Sequence, residues 1–267
     1  MSALRGLRCW LMAATLLLAL VPASTLADDF PPGATLSVLT GQVQVALGPF
    51  ADYTDALDGQ LVQAGDTVRT GPGGLALLTF FDGSESQLGP DSQMRIDFME
   101  ASPARRIMLF QAAGLSLNRV VPMAGGSFQT DTSTATGLVR GTTFVVAVDQ
   151  PASEADQPTT SLVLLEDPDG HVGRVDVAAH ADLPMVELTR AGEVGVASVQ
   201  TAAKARLGSP ALQVLTTAAR DPNDALAASQ AAEHARSLVV AARVALASGG
   251  DPAGNATLLN VSRTFGS

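Results

Sequence analysis

A few side chains in this sequence have types and spacings that could do chemistry. Asp82 with Glu85, and Asp167 with Asp169, are close-set carboxylate pairs that could share general acid and base work, most simply in a hydrolase. His171, His180 and His234 could bind zinc. Ser84, directly after Asp82-Gly83, is a hydroxyl beside a carboxylate. None of these completes a catalytic constellation. Both carboxylate pairs sit in turn sequences, where short acidic side chains serve the backbone. The histidines are scattered without metal-ligand spacing. Ser84 lacks the Gly-x-Ser-x-Gly elbow that exposes a nucleophile. The sequence therefore predicts no catalytic residue, no metal and no cofactor. A hydrolase using the turn carboxylates is the weakest alternative.

Two charged residues stand out by placement. Asp66 and Arg140 each lie beside a glycine in a turn-flanked strand. Asp66 is expected to cap its own turn through backbone N–H groups, and Arg140 to hold a loop by donating to carbonyls. The sharper alternative is an Asp66–Arg140 ion pair locking the two stretches together.

The elements that must carry these residues are strands. From Leu61 to Ser92, turn residues recur at Gly65-Asp66, Gly71 to Gly74, Asp82-Gly83 and Gly89-Pro90-Asp91, with short apolar and β-branched runs between them. Leu36 to Leu47 alternates with period two around Thr40-Gly41. Leu75 to Phe81 is apolar on both alternating faces, as in a strand covered on both sides. Met94, Ile96 and Phe98 alternate with Arg95 and Asp97, giving one wet face. Ile107 to Phe110 and Leu115 to Leu117 read as two short strands turned at Ala113-Gly114. Leu162 to Leu165 and Val172 to Val177 flank Asp167-Pro168-Asp169-Gly170, which predicts a hairpin. A second hairpin is expected around Ala191-Gly192. Gly48 to Asp58, with the single tyrosine Tyr53, and Gln150 to Thr160 read as exposed loops.

After Ser198 the composition turns to alanine. Ser209-Pro210 predicts an N-cap and first helical residue, with the helix ending near Arg220. Asp221-Pro222 repeats the signal for a longer helix stopping at Gly249-Gly250. Its stripe, Ala227, Ala231, Ala235, Leu238, Ala242 and Leu246, is a weak apolar face that could pack on the β part or dock on a partner. Gly254 to Ser267 is expected to be flexible.

Of the 267 residues, 46% are hydrophobic and only 4% aromatic, so a core of Val, Leu and Ala is expected. Arg5 and Arg8, the apolar run Trp10 to Val21 and Thr25-Leu26-Ala27 read as a secretory signal cleaved after Ala27; retention as an anchor is the rival reading. The single cysteine, Cys9, lies within that signal, so the mature chain is expected to have no disulfide and no thiolate chemistry. Without Arg5 and Arg8, 14 basic residues face 26 acidic ones, a net charge of −12. Such a surface repels phosphate backbones, so nucleic acid is not an expected partner. No later stretch is long and apolar enough to span a membrane as a helix.

With these elements in place, two stretches resemble the FecR domain. The first comprises Gly41-Gln42-Val43, Leu61, Gly65-Asp66-Thr67-Val68-Arg69-Thr70-Gly71, Gly74, Ala76, Phe80, Asp82-Gly83-Ser84, Leu88 and Ser92. The second, Leu138-Val139-Arg140-Gly141-Thr142-x-Phe144, is similar to that family's Val-Arg-Gly-Thr-x-Phe signature. The resemblance covers Ala34 to Ala197. It implies a framework role for Gly65, Asp66, Thr70, Gly71, Asp82, Gly83, Ser84, Arg140, Gly141 and Thr142. The family's best-known members relay a signal from an outer-membrane siderophore receptor to an extracytoplasmic-function sigma factor, and carry a cytoplasmic anti-sigma region and one membrane span before the periplasmic module. The signal-like N-terminus here leads to the expectation of the exported module alone.

The sequence thus predicts a mainly β protein, built as a short-strand two-layer roll, sandwich or short solenoid over residues 28–198, followed by an alanine-rich helical tail over 199–267. The leading function is a non-enzymatic, periplasmic or secreted module binding an envelope protein or glycan. The alternative is a periplasmic regulatory component of cell-surface signalling linked to a sigma-factor/anti-sigma system, with the tail as a docking helix.

Overall fold

A computed structural model describes residues 31–122, 125–149, 158–179, 185–198, 202–234 and 257–259. The signal expected at 1–27, most of the loop expected at Gln150 to Thr160, His180, the later part of the expected second helix and most of the final segment lie outside these residues.

The chain shuttles between two facing β-layers. β1 (Ala34–Thr40) lies in the first layer, and β2 (Val43–Ala46) and β3 (Thr54–Asp55) in the second. β4 (Gln60–Val62) returns to β1, and β5 (Thr67–Thr70) crosses to β2. β6 (Leu75–Phe80) and β7 (Glu85–Leu88) form a hairpin in the first layer. β8 (Gln93–Glu100) then joins the second. β9 (Arg106–Arg119) belongs to both layers. Its first half pairs with β8 and, in parallel, with β10 (Ser127–Asp131); its second half pairs with β7 and with β12 (Thr143–Asp149). β11 (Ala135–Val139), β14 (Val175–Ala179) and β15 (Val186–Leu188) complete the second layer. β13 (Thr159–Leu164), β16 (Glu193–Ser198) and β17 (Ala202–Leu207) extend the first, with β18 (Thr257–Leu259) parallel to β17.

The core between the layers follows from strand alternation. Leu36, Leu78, Phe144 and Leu162 point inward from the first layer to meet Val68, Ile96, Leu109 and Val177 from the second. Phe128 is gripped edge-on by Phe80 and Phe144, each ring 6.0 Å away.

Outer residues of the first layer, among them Leu115, Leu117, Val145, Val163 and Val196, form a second core. α1 (Ser209–Arg220) covers them with Ala211, Leu215 and Ala218, and α2 (residues 225–234) adds Ala231 and Ala232. Helix cover explains why β12, β13 and β16 are buried on both faces. The alanine stripe buries little area per residue, but small side chains let a helix lie close to a sheet. The expected caps shift by a few residues. The N-cap of α1 is Gly208, with Pro210 in its first turn, and α2 is capped by Asp224, whose Oδ1 accepts from the backbone N–H groups of Leu226 and Ala227 at 3.0 Å.

Three expectations change. Ala113-Gly114 is a bend within the single strand β9. Gly114 has φ +80°, and a Cβ there would lie 2.5 Å from Ser92 Cα, so only glycine lets the strand turn from one layer into the other. The alternation of Met94, Ile96 and Phe98 breaks at a register shift after Ile96, which turns Phe98 outward and brings Met99 in. The Asp167–Gly170 turn forms, with Gly170 N donating to Asp167 O and Asp167 N to His171 O. Its flanking strands nevertheless do not pair: β13 lies between β12 and β16, and β14 between β11 and β15. The turn at Ala191-Gly192 likewise joins β15 to β16 across the layers. Turn residues reverse the chain; they do not choose its hydrogen-bond partner. Strands with apolar inner faces bury them by facing each other across the core.

Candidate functional site

The framework residues of the first motif are tied into their turns. Asp66 Oδ2 accepts from Gln63 N at 2.8 Å, and Gly65 N donates to Ile96 O. Thr70 Oγ1 donates to Gly89 O at 2.6 Å and accepts from Ser92 N at 2.9 Å, stapling the Gly71 turn to the Gly89–Ser92 turn. Gly71 N donates to Gln42 O. Asp82, preceding Gly83, accepts from Ser84 N at 2.9 Å and Ser84 Oγ at 3.0 Å. Ser84 Oγ in turn accepts from Val121 N. Both oxygens of Asp82 are thus occupied by Ser84, while Glu85 pairs with Arg119. This pair does not converge on a common proton.

The second motif sits elsewhere, in the turn between β11 and β12. Gly141, with φ +87°, lets the chain pass against Pro122: a Cβ there would lie 2.5 Å from Pro122 Cα. Thr142 Oγ1 accepts from Gly173 N at 3.1 Å. Asp66 and Arg140 form no ion pair with each other. Asp66 is buried in its turn, and Arg140 is exposed with no hydrogen bond or ion pair among the described residues.

Arg140 and Gly141 line a cleft of about 540 Å³. One wall is apolar, built from Val120, Val121 and Pro122 where β9 ends, and Pro168 faces it from the β13–β14 turn. The rim carries Arg119, Asp167, Asp169 and His171. Asp167 accepts from Thr143 Oγ1 and faces His171 Nδ1 at 3.4 Å, while Asp169 Oδ1 accepts from His171 N at 3.1 Å. The carboxylates of this turn therefore shape the loop, as turn-borne aspartates do. His234 lies on α2 with Nδ1 against Gln230 O, and among the described residues no group of three or more His, Cys, Asp or Glu could hold a metal ion. The cleft offers an apolar wall beside one unpaired guanidinium, which is recognition chemistry. Sequence reasoning singled out Arg140 and the Asp167–Asp169 turn separately. Their meeting depends on β12 beginning and β13 ending at the same end of the first layer, which no local pattern encodes.

Residues 66–166 match the family model described as FecR protein. No curated protein matches the chain. Two crystal structures of a candidate anti-sigma factor from Parabacteroides distasonis ATCC 8503, at 2.50 and 1.65 Å resolution, are similar at 18% identity with TM-scores of 0.43 and 0.42. Each similarity covers 55% of this chain and 62% or 63% of the solved one, so the chain spans about three-fifths of their length. Among the described residues no helix is long and apolar enough to cross a membrane.

Proposed function

From the premise that residues 66–166 are a FecR domain, we propose that the protein is a regulatory component of cell-surface signalling that acts by binding another protein in the bacterial envelope. The observation that carries this reading is Arg140. It is a residue of the family-like second motif, exposed and unpaired at an apolar cleft, while the other motif residues are engaged within the fold. An unpaired arginine beside apolar wall residues supports recognition of a protein carboxylate. The reading is non-enzymatic: the carboxylates near the cleft serve their own turn. The signal-like N-terminus supports a periplasmic or secreted location, and the packing of α1 on the first layer favours the cleft over that helix as the docking surface.

A photo-crosslinking residue at Asp169, introduced in cells of the source bacterium, tests it. The expected product is a crosslink to a membrane-spanning signalling protein, lost on Arg140→Glu. No crosslink, or one indifferent to Arg140, overturns the reading.

A further inference from the structure

A second surface of the same molecule complements this cleft. The β2–β3 hairpin ends in a loop, Leu47 to Tyr53, whose Phe50 is 99% exposed. Leu47 beside it is 54% exposed. The loop is held from below. Its strands pair at Gln44–Asp55 and Val45–Thr54. The Tyr53 hydroxyl accepts from Gln93 at 3.1 Å, and the Arg69 guanidinium lies 3.7 Å over the Tyr53 ring. Two residues after Phe50, Asp52 is exposed and makes no hydrogen bond or ion pair among the described residues. The tip thus presents an aromatic side chain and a free carboxylate from a fixed base. A preformed presentation of this kind costs little ordering on binding, and large aromatic side chains are the usual anchors of protein interfaces.

The cleft has the complementary character: its lining includes apolar Val120 to Pro122 and Pro168 together with the exposed Arg140, which has no hydrogen bond or ion pair among the described residues. We infer that the cleft of one copy receives the Phe50 loop of a second copy, with Phe50 against the apolar wall and Asp52 paired to Arg140. The contact joins two different patches, so it is heterologous: the receiving copy keeps its own loop free and the inserting copy its own cleft, and association is head-to-tail. One loop in one cleft is a small interface, so association is weak and concentration-dependent. On a surface otherwise strongly acidic, the Asp52–Arg140 pair also sets orientation, because other approaches bring like charges together.

Sedimentation of the exported chain over a concentration series tests this. The expected result is a weight-average mass rising with concentration, and a return to monomer for Phe50→Ser and for Arg140→Glu. Both positions are exposed, so circular dichroism should be unchanged in each variant. An equimolar mixture of the two variants keeps one intact loop and one intact cleft between them. It should form dimers and nothing larger. A wild-type chain that stays monomeric, association that survives both substitutions, or a mixture that fails to dimerise overturns the inference. It rests on the same cleft as the proposed signalling function but fails separately. A monomeric chain that still crosslinks through the cleft to a signalling protein refutes only self-association. A self-associating chain with no such crosslink refutes only the signalling reading.

Discussion

Gly141 and Arg140 are neighbours with different tasks. Gly141 is there for its backbone: a positive φ and 2.5 Å of clearance from Pro122 leave no room for a side chain. Gly141→Ala should destabilise the fold by about 2–4 kcal/mol, from the strained conformation and the clash with main chain. The measurement is the urea midpoint at unchanged m-value; an unaltered midpoint would show that the turn yields freely. Arg140→Ala, by contrast, removes an exposed side chain without internal partners. The glycines and aspartates of both motifs were legible as turn chemistry because the requirement is local. The exposure of Arg140 was not, because it depends on which residues the neighbouring turns bring near.

Among elements, β16 shows how a buried charge can bind strands together. Glu193 sits at its start, almost fully buried. Burial alone would raise its pKa. Backbone N–H donors from Thr189 at 2.7 Å and Arg190 at 3.1 Å, with the Lys204 ammonium at 2.9 Å on β17, outweigh burial and lower it. A carboxylate with a lowered folded pKa stabilises the native state fully above its ordinary value near 4.5. That contribution is lost as pH falls through the lowered folded value. Glu193→Gln should therefore cost about 1.5–3 kcal/mol at neutral pH, the scale of hydrogen bonds to a charged group. Thermal melts from pH 7 downward should stay apart down to the ordinary carboxylate value near 4.5 and converge only as pH falls through the lowered folded value; parallel curves across the range would refute the assignment. Nothing in the local sequence announced this role, since Lys204 becomes a partner only once β17 pairs with β16. The strand itself was readable from its apolar alternation. Its hairpin partner was misjudged because turn residues specify reversal and leave pairing to the sheet.

For the molecule as a whole, the decisive fact is that the first layer has two covered faces. One faces the second layer through a core of aliphatic side chains and three edge-packed phenylalanines. The other, through Leu115, Val145, Val163 and Val196, faces Leu215 and the alanines of the helices. β9 joins the layers and carries a buried polar chain at its bend: Ser86 donates to Asn118, Asn118 to Ser116, and Ser116 to Gln111. Each of these donors has its acceptor, as an interior polar network requires. If the helices are part of this single packed unit, Leu215→Ala should cost about 2–5 kcal/mol, because Leu215 is wholly buried. Unfolding followed by Trp-independent far-ultraviolet dichroism and by hydrogen exchange in β12 should remain one transition, shifted as a whole. Loss of the helix signal ahead of the strands would show that the helices are merely appended.

The sequence by itself determined the strand content, the turn positions, the aliphatic character of the core, the helix from Ser209 to Arg220 and the two family-like motifs. Each of these follows from short-range residue type and period. The tertiary structure decided which strands pair, that the chain alternates between layers at turns that look like hairpins, and that the helices cover a sheet face. It also decided that Asp66 and Arg140 stay apart. Those outcomes depend on burying both faces of one layer at once, and that constraint spans the whole chain. The exposed Arg140, whose motif the sequence marked and whose cleft only folding assembles, stands where the two kinds of information meet.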